Sequence, residues 1–74
     1  MNSSTLSETL LNARLSLRLA QTEVADYVDV AQSTYNNWES AKHTPSVKHI
    51  PKLCKILKLD INDFYPPHNL LIIN

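Results

Sequence analysis

The sequence predicts an all-α domain, and three observations carry that expectation. There is no glycine among its 74 residues, which works against tight hairpins and glycine-rich phosphate loops. Apolar residues recur at helical rather than alternating spacing. The prolines stand where helices start or stop, the positions their locked φ and missing N–H allow.

Length and composition set the bounds. At 74 residues the chain forms one domain. A domain of that size buries only about 60–65% of its unfolded surface, so its stability is modest unless something such as oligomerisation helps. With 43% hydrophobic and 19% charged residues it belongs with folded rather than disordered chains. A single cysteine, Cys54, excludes an internal disulfide, and its apolar helical frame makes it a small core residue. No histidine or cysteine cluster has metal-ligand spacing, and no cofactor is implied. The longest apolar run, Leu70–Ile73, is far too short to span a bilayer, and no signal segment is visible. A soluble cytoplasmic protein is the expectation. Seven basic and seven acidic residues cancel, but residues 40–58 hold five lysines and no acid.

The first helix is expected from about Leu6 to Leu17, opened by Thr5 and Glu8 as a capping box. Leu10, Ala13, Arg14 and Leu17 share one face. Arg14 is the odd member of that stripe and needs a carboxylate, because an unpaired buried charge is costly. Arg18 stands where a helix-ending glycine belongs; a left-handed conformation there costs on the order of 1 kcal/mol. Leu19 is the apolar plug that follows.

The second helix should run from Gln21 to about Val28. Ala20 offers no side-chain cap, so the first amides stay free, as suits a phosphate site. Asp29-Val30-Ala31 forms the turn, with positive φ expected at Asp29. The third helix should span Gln32 to about Glu39. Tyr35 and Trp38 face the core with Val24 and Val28. Gln32, Ser33, Thr34, Asn36 and Asn37 occupy the outer arc, where short polar side chains reach base edges. A polar, basic loop, Ser40–Ser46, follows.

Val47–His49 is expected as a turn into a fourth helix from Ile50 to Leu57, with Pro51 in its first turn. Ile50, Leu53, Cys54 and Leu57 form its apolar stripe, and Lys52, Lys55 and Lys58 face water. Asp60 caps a short fifth helix, Ile61–Tyr65, whose Ile61, Phe64 and Tyr65 return to the core or an interface. Pro66-Pro67 stops it. Four apolar residues then close the chain, Leu70, Leu71, Ile72 and Ile73, and must either pack back or pair with another chain. The domain is therefore 1–67 and the tail 68–74. No serine, histidine and acid are arranged as nucleophile and base, so an enzyme is not expected.

With these residues in place the chain resembles the Cro/repressor-type helix-turn-helix family, also called the xenobiotic-response-element family, over about residues 10–65. The resemblance rests on Arg14, Gln21, Glu23, Val24, Ala25, Val28, the turn at Asp29-Val30, Gln32-Ser33-Thr34, Trp38-Glu39, Pro45 and the pattern ending Leu57-Lys58-Leu59. It implies a five-helix, phage-repressor-like DNA-binding domain with the helix-turn-helix at 21–39. By that resemblance Gln32, Ser33 and Asn37 read bases, and Gln32 makes a bidentate contact to adenine. Gln21 binds phosphate through its amide and braces Gln32 with its side chain. Thr34, Ser40, Lys42, His43 and Thr44 are by the same resemblance phosphate or mixed contacts, His43 when protonated; Asn36, read from its place on the arc alone, is either simply exposed or a phosphate contact. Arg14 and Glu39 form a buried ion pair. The family usually has glycine at the positions of Arg18, Asp29, Ala41 and Lys58, so the loops depart most from its pattern.

The function implied is a sequence-specific transcriptional regulator of a bacterium or phage. It would be a repressor binding a palindromic operator on double-stranded DNA as a homodimer, with Phe64, Tyr65 and Leu70–Ile73 as possible dimer contacts. The alternative is an antitoxin, antirepressor or restriction–modification controller that acts through a protein partner on the same fold.

Overall fold

The computed structural model describes residues 3–64 of the chain. Four α-helices follow one another: α1 Ser3–Ser16, α2 Gln21–Val28, α3 Gln32–Glu39 and α4 Ile50–Leu57. Single 3-10 turns at Val47–His49 and Ile61–Asp63 flank α4, and no strand occurs among the described residues.

The expected limits of α2, α3 and α4 match the observed ones, and two expectations are corrected. The first helix begins at Ser3, so Thr5 lies inside it rather than capping it. Nothing in Ser3–Ser4 breaks a helix, and the Thr5 carbonyl accepts the Thr9 hydroxyl at 3.1 Å a turn later. The fifth helix is, within the described residues, only the Ile61–Asp63 turn. The Asp60 carboxylate accepts the Asn62 N–H and the Asp63 carboxylate accepts the Asp60 N–H, at 3.1 and 2.7 Å. This compact reciprocal cap turns Phe64 into the core and leaves Ile61 half exposed, so of the two places expected for these side chains, core or interface, Phe64 takes the core and Ile61 does not. Tyr65, Pro66-Pro67 and the Leu70–Ile73 tail lie outside the described residues.

The core follows the helical stripes. Leu10 from α1, Val24, Ala25 and Val28 from α2, Tyr35 and Trp38 from α3, and Ile50, Leu53 and Leu57 from α4 form one cluster with Phe64. Each such side chain contributes roughly 1.5–3 kcal/mol by leaving water. Tyr35 meets Trp38 edge to face, ring centroids 5.9 Å apart. The far side of Trp38 is covered by His49, with centroids 5.4 Å apart. In this way α2 packs on α3 and α4, and α1 closes over α3 and α4.

One local device ends every helix. Arg18, Asp29, Ala41 and Lys58 have φ of 59, 66, 66 and 56°, all left-handed. In each case the next N–H reaches back five residues. Leu19 bonds to the Arg14 carbonyl at 3.1 Å, Val30 to Ala25 at 3.0 Å, Lys42 to Asn37 at 2.9 Å and Leu59 to Cys54 at 2.9 Å. This is the Schellman closure, which satisfies carbonyls that the helix leaves orphaned. Glycine adopts it without strain; these four residues do not. Leu19, Val30 and Leu59 then plug against the core. At the end of α3 the corresponding residue is Lys42, which is exposed.

Candidate nucleic-acid interface

The polar outer face of α3 is held by a buried ion pair on its inner side. Arg14 and Glu39 meet in a fork: Nε donates to Oε2 at 2.6 Å and NH2 to Oε1 at 3.0 Å. Their side chains are only 12% and 5% exposed, so little water competes for the bond. The remaining Arg14 nitrogen donates to the Leu19 carbonyl at 2.9 Å, tying the α1–α2 connection to the same point. Burial by itself would raise the Glu39 pKa, but Arg14 first, then the neighbouring Tyr35 hydroxyl and Gln21, outweigh it and hold the carboxyl below its usual range. Glu39 in turn raises the Arg14 pKa. The Tyr35 hydroxyl is buried beside this pair and closes no hydrogen bond. Burial, with the negative charge of Glu39 adding to it, pushes its pKa far above the ordinary phenol range.

Gln21 carries the arrangement from the ion pair to the surface. Its Nε2 donates to Glu39 Oε1 at 2.9 Å and to Asn36 Oδ1 at 3.1 Å. Its Oε1 accepts from Gln32 Nε2 at 3.0 Å. Gln32 is exposed at the first turn of α3, and one N–H and its oxygen remain for a partner. Ser33 and Asn36 are exposed, while Thr34 and Asn37 are half-buried.

The α2 N-terminus lies beside this face. Ala20 is extended and supplies no side-chain cap. Glu23 takes the Ala20 N–H at 2.7 Å instead. The Gln21 and Thr22 amides open the helix with no carbonyl a turn behind them inside it, although the Glu23 carboxylate sets a negative charge close by. On the other flank, the Asn37 carbonyl accepts the N–H groups of Lys42 and His43 at 2.9 and 3.2 Å. The Ser40 hydroxyl donates to the same oxygen at 3.4 Å. That clamp holds Lys42, His43 and Thr44 exposed at the foot of α3.

The structure thus brings Gln21, Gln32, Asn36 and the Arg14–Glu39 pair into one network. Ser33, Thr34 and Asn37 lie on the neighbouring face, and Ser40 to Thr44 on the clamped loop. Phe64 commits its ring to its own core, 9% exposed, which leaves little of it for a second chain. Two features went unforeseen in the sequence. Asn36 bonds to Gln21 across a separation of 15 residues, which no local spacing signals. His49 was a scattered histidine by spacing and proves to cover Trp38. Asp29 stands apart from the polar face and lines, with Val28, Lys48, His49 and Lys52, a cavity of about 290 Å³. Cys54 is half-buried, and burial followed by the charges of Asp60 and Asp63 raises its pKa, which keeps it a thiol.

Two short helices joined by a left-handed turn, the second exposing a polar arc, define a helix-turn-helix protein. A family model described as helix-turn-helix matches residues 10–64. The chain belongs to this Cro/repressor-type family of DNA-binding regulators, whose members are typically not enzymes. No curated protein and no solved structure shows a significant match. Among the described residues no helix is long and apolar enough to cross a membrane, and no group of three or more potential ligands is placed to hold a metal.

Proposed function

We propose that this protein is a sequence-specific transcriptional regulator, a repressor that binds a palindromic operator as a homodimer in the cytoplasm of a bacterium or its phage. The observation that carries the reading is the Gln21–Gln32 hydrogen bond. It holds an exposed amide at the start of α3 with one donor and one acceptor left over, the pair an adenine edge requires in the major groove. Ser33 and Asn37 read neighbouring bases. The α2 N-terminus, Thr34 and the Ser40–Thr44 loop set the register on phosphates. Two copies of α3 enter successive major grooves about one helical turn apart. The domain runs to about residue 67, and Leu70–Ile73 pair between subunits.

The test is selection of binding sites from random duplex DNA by the full chain. A two-fold symmetric motif is expected, and no enrichment overturns the reading. Gln32→Ala should then cost about 1–3 kcal/mol and relax preference at one base pair of each half-site. Unchanged affinity for the selected site would remove Gln32 from the base-reading set.

A further inference from the structure

The hydrogen bonds around Gln21 have a direction, and a charge sets it. Glu39, ionised against Arg14, can only accept. Gln21 must therefore turn its NH2 toward it, and Nε2 stands 2.9 Å from Oε1. The second hydrogen of that nitrogen goes to Asn36 Oδ1 at 3.1 Å. Both donors of Gln21 are then used, and its oxygen is left to accept from Gln32. Reversing the Gln21 amide would set oxygen against carboxylate and break all three bonds.

The polarity propagates to the exposed face. Gln32 is left with one donor and one acceptor. Asn36, a turn further along the same side of α3, has its oxygen engaged on Gln21. Its exposed end is the NH2, and neither N–H meets an acceptor among the described residues. Two adjacent amides of near-identical chemistry are thus oriented to ask different questions of a ligand.

We infer that Asn36 meets acceptor atoms on DNA through its NH2, either guanine O6 and N7 or a phosphate oxygen, and that Glu39 is a positioning residue that sets this polarity from inside the protein. The inference rests on the proposed DNA-reading function. A guanine edge offers two acceptors side by side, whereas an adenine edge would need the oxygen that Asn36 has turned to Gln21. Phosphate shares the acceptor chemistry and carries no sequence information.

The experiment repeats the binding-site selection with wild type, Asn36→Ala, Asn36→Asp and Glu39→Gln, with thermal melting of each variant to confirm folding. Asn36→Asp keeps an oxygen for Gln21 and removes both outward donors. If Asn36 reads guanine, Asn36→Ala and Asn36→Asp both lose one guanine position, with affinity for the selected site down roughly 5- to 150-fold, and the adenine position of Gln32 persists in Asn36→Asp. If Asn36 meets phosphate, Asn36→Ala weakens every sequence alike and leaves the motif intact. Asn36→Ala indistinguishable from wild type overturns the inference while leaving the proposed function standing. A wild-type chain that enriches no motif removes both. Glu39→Gln should relax the motif at the Gln32 and Asn36 positions while sparing affinity for random DNA. A lower melting temperature with an unchanged motif would reduce Glu39 to a structural role.

Discussion

Tyr35 buries a phenol completely and gives its hydroxyl no hydrogen bond. A buried donor left unmatched costs about 1–3 kcal/mol, and deleting it with a same-shaped apolar group is close to neutral. Tyr35→Phe should therefore leave stability unchanged or raise it by up to about 1 kcal/mol in denaturant unfolding. A loss larger than that would mean the hydroxyl has a partner. Glu39 behaves in the opposite way, because all its bonds depend on charge. Its folded pKa is depressed, so its stabilising contribution is present above the ordinary carboxylate pKa and disappears as pH falls through the lower, folded value. Melting temperature should drop below about pH 4, and Glu39→Gln should flatten that limb while lowering the plateau. An equally steep acid limb in the variant would place the pH dependence elsewhere. At this scale the sequence showed less than it contains. Arg14 announced that it needed a carboxylate, but only a family pattern pointed to Glu39. Nothing local revealed that one amide, Gln21, serves three partners from a different helix.

Helix boundaries were easier, because each is set by residues next to it. Ala20 and Ala31 precede α2 and α3, Pro51 sits in the first turn of α4, and the apolar stripes repeat at helical spacing. The start of α1 was missed because a capping box is permitted inside a helix when nothing upstream stops it. The last turn was overextended because a cap signals where a helix begins and not how far it continues. The four left-handed closures were legible only as missing glycines, and all four occur at those positions. Each non-glycine residue there costs about 1–2 kcal/mol, least for aspartate. Arg18→Gly and Lys58→Gly should each stabilise the fold by about 1 kcal/mol, and Asp29→Gly by less. The triple variant should melt on the order of 10 °C higher. A variant no more stable than wild type would show that the lost side-chain contacts or the added unfolded-state freedom of glycine offset the relief.

For the molecule as a whole, charge placement matters more than charge total. The basic stretch 40–58 sits on the loop and α4, while α2 carries Glu23 and Asp26 and the turn after it Asp29. On the proposed reading few cations face DNA, a monomer would release few counterions, and tight binding would call for two copies. Dilution should thus weaken operator binding more steeply than a single-site isotherm. Sedimentation of the full chain and of one ending at Pro67 should show weaker self-association in the shorter one. Identical oligomers from both would exclude Leu70–Ile73 from the dimer contact. Fold class and the polar outer arc of α3 were recoverable from sequence because periodicity and polarity are distributed over many residues. The directionality of the network was not, since it exists only once α1, α2 and α3 have met.

The strained helix ends also bear on how much of this protein a cell can hold. Every 1.4 kcal/mol withheld from folding multiplies the unfolded fraction tenfold, and that fraction is what proteases remove. Operator occupancy by a dimer varies with the square of the free subunit concentration when dimers are scarce. Four residues far apart in the chain, each bent against its preferred handedness, therefore act together on steady-state abundance, and for a dimeric regulator of the kind proposed abundance would act twice over on the gene that is read.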